Sequence, residues 1–351
     1  MPETKYSRVP MQRKPNAAEA EKNGEAFGYY DLNTQKLIEL GRLPGLSVSA
    51  GDAVVLQGNY YTWWSYGDGV YGQKPFHNIF FSLNPAQKKL SVIRDVKDAF
   101  GPFVYMKKVS EDVCALLTYS PGDGENNSKV ELFSASSGEM KTMIEEHYEN
   151  TEQSQHSAGR ILEAISANNG LIFALGRVKT NQVYEMHLMI YSQSGQLQKS
   201  ISAPAVMEFL GEDTPLDFRV IGDFFALRQA SSVGNQIFKM ENDTIVPVTE
   251  VMTDVIISAG SWSQERCPYF YWLVAPEGTA VQKKFSVLDT RSGVIRECHA
   301  ELDTQLPSLS YSIFQSDENG NLLLGSANDY SDFPQRVYMI KRQVIDQQLG
   351  Q

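Results

Sequence analysis

Short apolar runs rich in Val, Ile, Phe and Tyr recur along the chain, and Gly, Asn, Asp and Ser bound them. The clearest runs are residues 53–56, 79–81, 113–117, 171–175, 224–227, 269–273 and 322–324. Apolar residues rarely recur at helical spacing for more than a turn or two. The acidic stretch 139–152 is the best helical candidate, and its first half is itself typical of a strand. The pattern predicts an all-β chain.

Two kinds of polar turn separate these runs, and each occurs six times. Tight turns that lead into an apolar strand stand at 50–52, 110–112, 167–170, 221–223, 264–266 and 317–321. Hairpin turns, in which Gly or Asn supplies a positive φ, stand at 31–37, 83–87, 134–138, 191–195, 240–243 and 289–293. The two sets interleave with a period of roughly 50 residues. Each period therefore predicts four antiparallel strands, which form one blade of a β-propeller.

The two ends of the chain suggest how such a ring closes. The hairpin signal at 31–37 has no strand pair before it, and the last unit, 307–342, holds only three strands. A ring leaves no exposed edge if the strand 36–40 becomes the outer strand of the last blade, alongside 336–341. This closure predicts six blades. The segment 27–30 would compete for the same edge of the last blade, so a partial seventh blade is the alternative.

The domain organisation follows from this closure. Residues 27–343 are predicted to form a single β-propeller domain. Residues 1–26 are expected to be a flexible tail or a leader remnant, and 344–351 a C-terminal tail.

The turn-plus-strand units 285–293 and 317–325 resemble those of six-bladed β-propellers of the TolB-like and NHL-like kind. The resemblance covers residues 27–342 at the level of single blades. The chain has no WD dipeptide, kelch double glycine or S-x-D-x-G-x-T-W box. The resemblance implies a ring with a central channel and implies no particular chemistry.

Composition narrows the possible partners and locations. The 351 residues carry a net charge of −11, and the pI is near 5.0, which argues against binding to nucleic acid or to an anionic membrane. No run approaches the roughly 18 apolar residues of a membrane span, so no membrane insertion is expected. The first 26 residues lack the apolar core of a secretory signal. The chain as given is therefore predicted to be cytoplasmic, or exported if a leader was removed.

The predicted binding surface is the face of the propeller that carries the long loops, around the channel mouth. Its richest loop, 59–77, concentrates Tyr and Trp, whose flat rings suit sugars, proline-rich peptides or a protein surface. The predicted ligand-binding residues are Tyr60, Tyr61, Trp63, Trp64, Tyr66, Asp68 and Trp262. The alternative is that the first of these aromatic residues continue a strand and pack between blades.

Other candidate sites are weaker. The acidic stretch 145–149 with His156 is typical of a solvated face. The segments 121–128 and 317–321 lack the spacing of a calcium loop, and 329–332 could add carboxylates near the channel mouth. There is no G-x-S-x-G motif, no closely spaced His pair and no phosphate-binding loop. Cys114, Cys267 and Cys298 are too far apart for a metal knuckle or a disulfide framework. We therefore predict no catalytic residue, no metal site and no cofactor.

These observations favour a non-catalytic binding or scaffold propeller that holds a small ligand, a glycan or a protein partner on its long-loop face. The alternative is a propeller enzyme, either glycoside-processing or a metal-dependent lactonase-type hydrolase. That enzyme would need carboxylates from several blades to converge at the channel mouth, and sequence alone does not reveal such convergence. A third possibility is an assembly subunit or sensor domain whose ring docks onto another protein.

Overall fold

The computed structural model describes most of the chain. The described residues are 8–13, 25–31, 34, 36–43, 49–50, 53–66, 76–99, 103–121, 125–149, 159–180, 183–231, 234–253, 255–259, 263–274, 282–301, 311–317, 319–327 and 334–350. They form two compact units, Met1–Pro204 and Ala205–Gln351.

Antiparallel strands dominate both units. In the first unit the strands are β1 (Arg8–Arg13), β2 (Glu25–Asp31), β3 (Lys36–Leu43), β4 (Ser49–Ala50), β5 (Val54–Leu56), β6 (Asn59–Tyr66), β7 (Phe76–Asn84), β8 (Lys89–Ala99), β9 (Phe103–Lys108), β10 (Val113–Pro121), β11 (Glu125–Ser134), β12 (Met140–Glu149), β13 (Gly159–Asn168), β14 (Leu171–Thr180), β15 (Val183–Tyr191) and β16 (Leu197–Ser202).

The second unit continues the pattern and adds two short helices. Its elements are α1 (Pro204–Leu210), β17 (Pro215–Ile221), β18 (Phe224–Gln229), β19 (Asn235–Glu241), β20 (Thr244–Pro247), β21 (Val255–Ala259), β22 (Tyr269–Val274), β23 (Gln282–Asp289), β24 (Val294–Glu301), β25 (Tyr311–Ser316), β26 (Leu322–Ala327), β27 (Pro334–Ile340) and α2 (Arg342–Leu349). Of the helices in the described ranges, neither is long and apolar enough to cross a membrane.

The described strands form seven antiparallel sheets. Four of them are four-stranded meanders in chain order: β9–β12, β13–β16, β17–β20 and β21–β24. A fifth joins β4, β6, β7 and β8, with β5 also paired to β6. The remaining sheets, β1–β2–β3 and β25–β26–β27, have three strands each. These sheets confirm the prediction of an all-β chain built from four-stranded antiparallel units, the blade unit of a β-propeller.

Turns of both predicted kinds occur among the described residues. Gly138, between β11 and β12, has φ 71°, and Gly170, between β13 and β14, has φ 77°. A residue with a side chain is strained at such positive φ values, whereas glycine adopts them freely. The stretch 139–152 contains strand β12 rather than a helix.

The predicted closure of the ring is wrong. Strand β3, which contains the segment 36–40, is hydrogen-bonded to β2 rather than to the segment 336–341. The register places Tyr29 opposite Ile38 and Tyr30 opposite Leu37. A neighbour only a short turn away in the chain is the less costly partner for a strand, because a short loop loses little entropy on closing. The segment 27–30, expected to compete for the edge, is thus the partner of β3.

Both predicted tails contain regular structure. Strand β1 lies within residues 1–26 and pairs with β2, and residues 344–351 include most of α2. Inside α2, Ile345 and Leu349 are buried in a core with Cys298 of β24 and Leu324 of β26. Helix α2 directly follows β27, where a four-stranded sheet would continue with its last strand.

The middle strands are covered on both faces. Along β6, Tyr60 and Trp64 pack into one apolar cluster, and Tyr61 and Trp63 pack into another.

Within the first unit, inner strands of consecutive sheets touch, since β9 contacts both β5 and β13. In the second unit, β21 contacts β25 in the same way. In these pairs of consecutive sheets, inner strands are therefore neighbours.

Two adjacent residues of α2 test its role in the core. Ile345 is fully buried, whereas the side chain of Val344 is 43% exposed. Ile345→Ala should lower the free energy of unfolding by about 2–5 kcal/mol. Val344→Ala should change it by less than about 0.5 kcal/mol. Urea denaturation followed by tryptophan fluorescence measures both, and equal effects of the two substitutions would contradict the packing of α2.

Candidate functional site

The predicted aromatic binding surface is a strand interior. Tyr60, Tyr61, Trp63 and Trp64 are all buried, and they lie within β6 rather than in a loop. The ring of Trp64 lies 5.5 Å from that of Phe27. These four residues therefore offer no exposed shelf, which favours the alternative that they pack between sheets; a ligand-binding role for them stays a prediction.

The physical reason is strand alternation. Successive side chains of a strand point to opposite faces, so an unbroken aromatic run needs an apolar neighbour on each side. On the other face of β6, the ring of Tyr61 lies 5.3 Å from that of Phe133 of β11. Tyr66 ends β6, while Asp68 and Trp262 lie outside the described residues.

A different feature recurs in the first strand of four sheets. There the first strand carries one residue more than the second strand, a β-bulge. The extra residues are Val104 of β9, Glu163 of β13, Leu216 of β17 and Ser312 of β25. Bulges redirect a side chain and are frequent next to active sites. Of these four residues, only Glu163 is ionisable.

Glu163 is enclosed together with one guanidinium group. Its Oε1 lies 2.7 Å from Nε of Arg177 on the neighbouring strand β14. The side chain of Glu163 is 4% exposed and that of Arg177 is 15% exposed. The second carboxylate oxygen, Oε2, is buried and has no hydrogen-bond partner among the described residues. A buried carboxyl with an unsatisfied oxygen is costly in a structural role.

Gly176 makes room for this bulge. It stands opposite Leu162, immediately before the extra residue. A Cβ at position 176 would lie 2.4 Å from the backbone oxygen of Ile161 and 2.9 Å from Cε of Met189. The backbone oxygen of Ile161 cannot move aside easily. Only glycine therefore fits at position 176 as long as β13 keeps its bulge.

Burial dominates the protonation of Glu163. The loss of solvent raises its pKa to about 7, although the charge of Arg177 and its hydrogen bond act in the opposite direction. A carboxyl with a pKa near neutral pH exists in both protonation states under working conditions. Such a group can either donate or accept a proton during a reaction.

Other buried or half-buried carboxylates in this unit also lie beside cations. Glu131 lies 2.8 Å from Nη1 of Arg94 and 3.2 Å from Nζ of Lys129. Glu146, from the predicted acidic stretch 145–149, lies 2.5 Å from Nε of Arg160. Within the ranges that the structure describes, no three His, Cys, Asp or Glu side chains are grouped so that they could hold a metal ion.

A polar network in the second unit holds the C-terminal helix. The hydroxyl of Tyr269 donates to Oδ1 of Asp346 in α2 and accepts from Nη2 of Arg291 at 2.7 Å. Burial raises the pKa of Tyr269, and the hydrogen bond to Asp346 adds to this shift. The network has a structural explanation, because it joins α2 to β22.

The remaining weak candidates give no site. In the segment 317–321, Oδ1 of Asp317 accepts the backbone N–H groups of Asn319 and Asn321, which is the geometry of a turn. His156, residues 122–124 and residues 329–332 lie outside the described part of the chain.

Neither a protein-family model nor the sequence of a curated protein matches this chain. Among solved structures, the fold is similar to a PL25 ulvan lyase, a polysaccharide lyase bound to -[GlcA(1-4)Rha3S]-. The identity is 9%, the match covers 96% of this chain and 90% of that chain, and the TM-score is 0.51.

Two further similar structures have lower TM-scores. An α-L-arabinanase of Penicillium chrysogenum, in complex with arabinobiose, shows 9% identity, coverage of 83% of this chain and 92% of that chain, and a TM-score of 0.46. The β-propeller domain of the Trilobed protease from Pyrococcus furiosus shows 9% identity, coverage of 84% and 81%, and a TM-score of 0.46. Identities this low concern the fold alone. The fold is similar to β-propeller structures, and the TolB-like or NHL-like subtype has no support from these neighbours.

The comparisons correct the predicted function. A non-catalytic binding or scaffold propeller is wrong on this evidence, because the ulvan lyase, which the fold matches over 96% of this chain, is an enzyme. The sequence analysis also leaned against an enzyme, and the comparison with the ulvan lyase does not support that prediction. The alternative from the sequence, a propeller enzyme, is favoured instead.

Sequence reasoning missed Glu163 and Arg177. A signal was present, since Glu163 is the one charged residue in the run Ile161 to Ala167. Its meaning depends on the bulge, which turns the side chain toward Arg177 of the next strand. Sequence periodicity does not show which strand of a pair carries an extra residue.

The raised pKa of Glu163 predicts a pH-dependent stability. The pKa of Glu163 is about 7 in the folded chain, against an ordinary value of 4.5 for a glutamate, so the folded state binds more protons between these pH values. The stabilisation is fully present below pH 4.5 and is lost as the pH rises through 7. At about 1.4 kcal/mol per pKa unit, the loss is at most about 3.5 kcal/mol.

Glu163→Gln should remove this dependence. Urea denaturation of both proteins between pH 5 and pH 8 measures it. The difference between wild type and variant isolates the contribution of Glu163, because every other residue is the same in both proteins. A pH-independent difference would contradict the raised pKa.

Proposed function

We propose that this protein is a glycoside-processing enzyme in which Glu163 transfers the proton. The observation that carries the proposal is the enclosed pair of Glu163 and Arg177, with one carboxylate oxygen left without a hydrogen-bond partner among the described residues. A charged group in such a place is expensive, and active sites are where proteins commonly keep such groups.

Proton transfer suits the chemistry of Glu163. A general acid or base works best when its pKa lies near the working pH, and burial brings the pKa of Glu163 there. Cleavage of a glycosidic bond needs a group that protonates the leaving oxygen or removes a proton from the sugar or from water. One carboxyl with a pKa near 7 is able to serve in any of these steps.

Arg177 has a positioning role in this proposal. Its guanidinium fixes Oε1 of Glu163 at 2.7 Å and leaves Oε2 for a proton or a substrate atom. The positive charge also stabilises the carboxylate once it has lost its proton. The bulge and Gly176 set the position of the Glu163 carboxyl. The backbone of β13 therefore determines where Oε2 lies.

Saccharides are the substrate class to test first. The fold match with a TM-score of 0.51 is to a polysaccharide lyase bound to an oligosaccharide, and the chain covers 90% of that protein. This likeness concerns the fold, so it supports the choice of substrates without assigning one. A metal-dependent lactonase has no comparable support, since no metal-binding group occurs in the residues described.

The arrangement of blades forms part of the same proposal. The seven described sheets support a count of seven blades rather than six, with β1–β2–β3 as the seventh. The meander order of the four-stranded sheets and the contacts of their first strands within each unit agree with blade geometry. A low-resolution envelope from X-ray scattering would distinguish a closed ring from two separate units.

Glu163→Gln tests the activity. We expect it to lower the rate on the best polysaccharide of a neutral and uronate-containing panel by about 10²–10⁴-fold. The matched control is Glu131→Gln, which removes another buried carboxylate beside a bulge but one paired with two cations. The control should lose stability and keep its rate.

Two assays separate the possible reactions. New reducing ends report any cleavage, and ultraviolet absorbance of unsaturated product ends reports elimination. Equal rates for Glu163→Gln and wild type would overturn the proposal. If the variant fails to fold, the pH–rate profile of the wild type takes its place, with an inflection expected near pH 7.

A further inference from the structure

The bulge that carries Glu163 is held from a neighbouring sheet by one buried hydroxyl. The backbone N–H of Leu162, the residue before Glu163, donates a hydrogen bond of 2.9 Å to Oγ of Ser128. Ser128 belongs to β11, in the sheet β9–β12 of the same unit. Both Ser128 and Leu162 are fully buried, so bulk water does not compete for this N–H.

The peptide group that joins Ile161 to Leu162 is fixed on two sides. Its carbonyl oxygen lies 2.4 Å from the place that a Cβ of residue 176 would occupy, beside the backbone of Gly176. Its N–H points the opposite way, as a planar trans peptide requires, and reaches Ser128. This peptide group is therefore clamped between two strands directly before the bulged residue, Glu163.

A second contact joins the same two sheets close by. Glu146 of β12 stands opposite Ser128 in the register of β11 and β12, and its Oε1 lies 2.5 Å from Nε of Arg160 on β13. Arg160 and Leu162 are two residues apart, so the sheet β9–β12 holds β13 at two successive points before the bulge. The ion pair fixes a side chain, whereas the Ser128 contact fixes the backbone.

Loss of the Ser128 hydroxyl would leave a buried donor without this acceptor. An unsatisfied buried N–H is costly, and the strand can lower that cost by turning the peptide group or by giving up the bulge. Either change would move the carboxyl of Glu163 away from Arg177, because the bulge sets where that carboxyl lies.

We propose that Ser128 is a positioning residue, whose hydroxyl fixes the peptide group before the bulge and thereby holds the carboxyl of Glu163 beside Arg177. Ser128 acts through Glu163, from a sheet other than the one that carries the acid. Its part in the reaction rests on the proposed function, whereas its effect on the place of Glu163 does not.

The titration of Glu163 in Ser128→Ala tests this role without turnover. Burial is the largest cause of the raised pKa of Glu163, so a carboxyl released toward solvent should titrate at a lower pH. We expect the midpoint, followed by carbon-13 NMR of the Glu163 carboxyl, to fall from about 7 by at least about one pH unit. An unchanged or a raised midpoint would overturn the proposal.

Ser128→Thr tests whether the hydroxyl is the group that matters. Threonine keeps a hydroxyl acceptor, so this variant should retain the wild-type midpoint. A fall equal to that of Ser128→Ala would contradict a role for the hydroxyl. If Ser128→Ala fails to fold, Ser128→Cys takes its place with the same expected fall, because a thiol is a weak acceptor of similar shape.

Ser258→Ala is the matched control. Ser258 of β21 is also fully buried, and its Oγ accepts the backbone N–H of Ser316 on β25 at 2.7 Å. The substitution therefore removes the same kind of bond between sheets, in the second unit. It should lower the free energy of unfolding about as much as Ser128→Ala and leave the midpoint of Glu163 near 7. Equal falls in the two variants would overturn the proposal, since the shift would then follow general destabilisation.

The positioning role and the proposed function fail in different measurements. If Glu163→Gln keeps full activity, proton transfer by Glu163 fails, whatever Ser128→Ala does to the midpoint. If Ser128→Ala leaves the midpoint unchanged, the positioning role fails, even where Glu163 transfers the proton. When both hold, Ser128→Ala should lower kcat about 10- to 100-fold and leave KM nearly unchanged.

Discussion

Burial of both faces of the middle strands is the constraint on which this structure depends. A strand that is apolar on both sides gains stability only if a neighbouring sheet or element covers each side. In β6, Trp64 packs with Phe27 and Phe81 on one side, and Trp63 packs with Phe80 and Met106 on the other. The aromatic run of the sequence is therefore packing between sheets. The same constraint places Ile345 of α2 in the core of the second unit, where the helix supplies an apolar cover.

Within such an interior, a carboxyl group is exceptional. Removing Glu163 from water disfavours its charged form, and a single guanidinium compensates only part of that cost. The paired carboxylate of Glu131, which has two cationic partners, shows how the same unit accommodates an acid in a structural role. Glu163 lacks the second partner, and its position follows from a bulge that excludes any side chain at Gly176. The contrast between these two acids is the physical basis for assigning chemistry to Glu163.

Features set by neighbouring residues could be predicted from the sequence, and features set by distant ones could not. The turns at Gly138 and Gly170 are local, because glycine alone adopts their positive φ without strain, and their positions were predicted correctly. The closure of the ring depended on which distant strand takes the edge beside β27, and that prediction was wrong. The pairing of Glu163 with Arg177 depends on one inserted residue in β13. Alternation patterns do not reveal such an insertion, so the candidate site could not be predicted.

The most direct test of this account is the titration of Glu163 itself. Carbon-13 NMR of the side-chain carboxyl, assigned by its disappearance in Glu163→Gln, follows the proton as the pH changes. The account predicts a midpoint near pH 7, because burial outweighs the effect of Arg177. A midpoint at or below the ordinary value of 4.5 would mean that the carboxyl is solvated or fully paired. That result would contradict the enclosed acid on which the proposed chemistry rests.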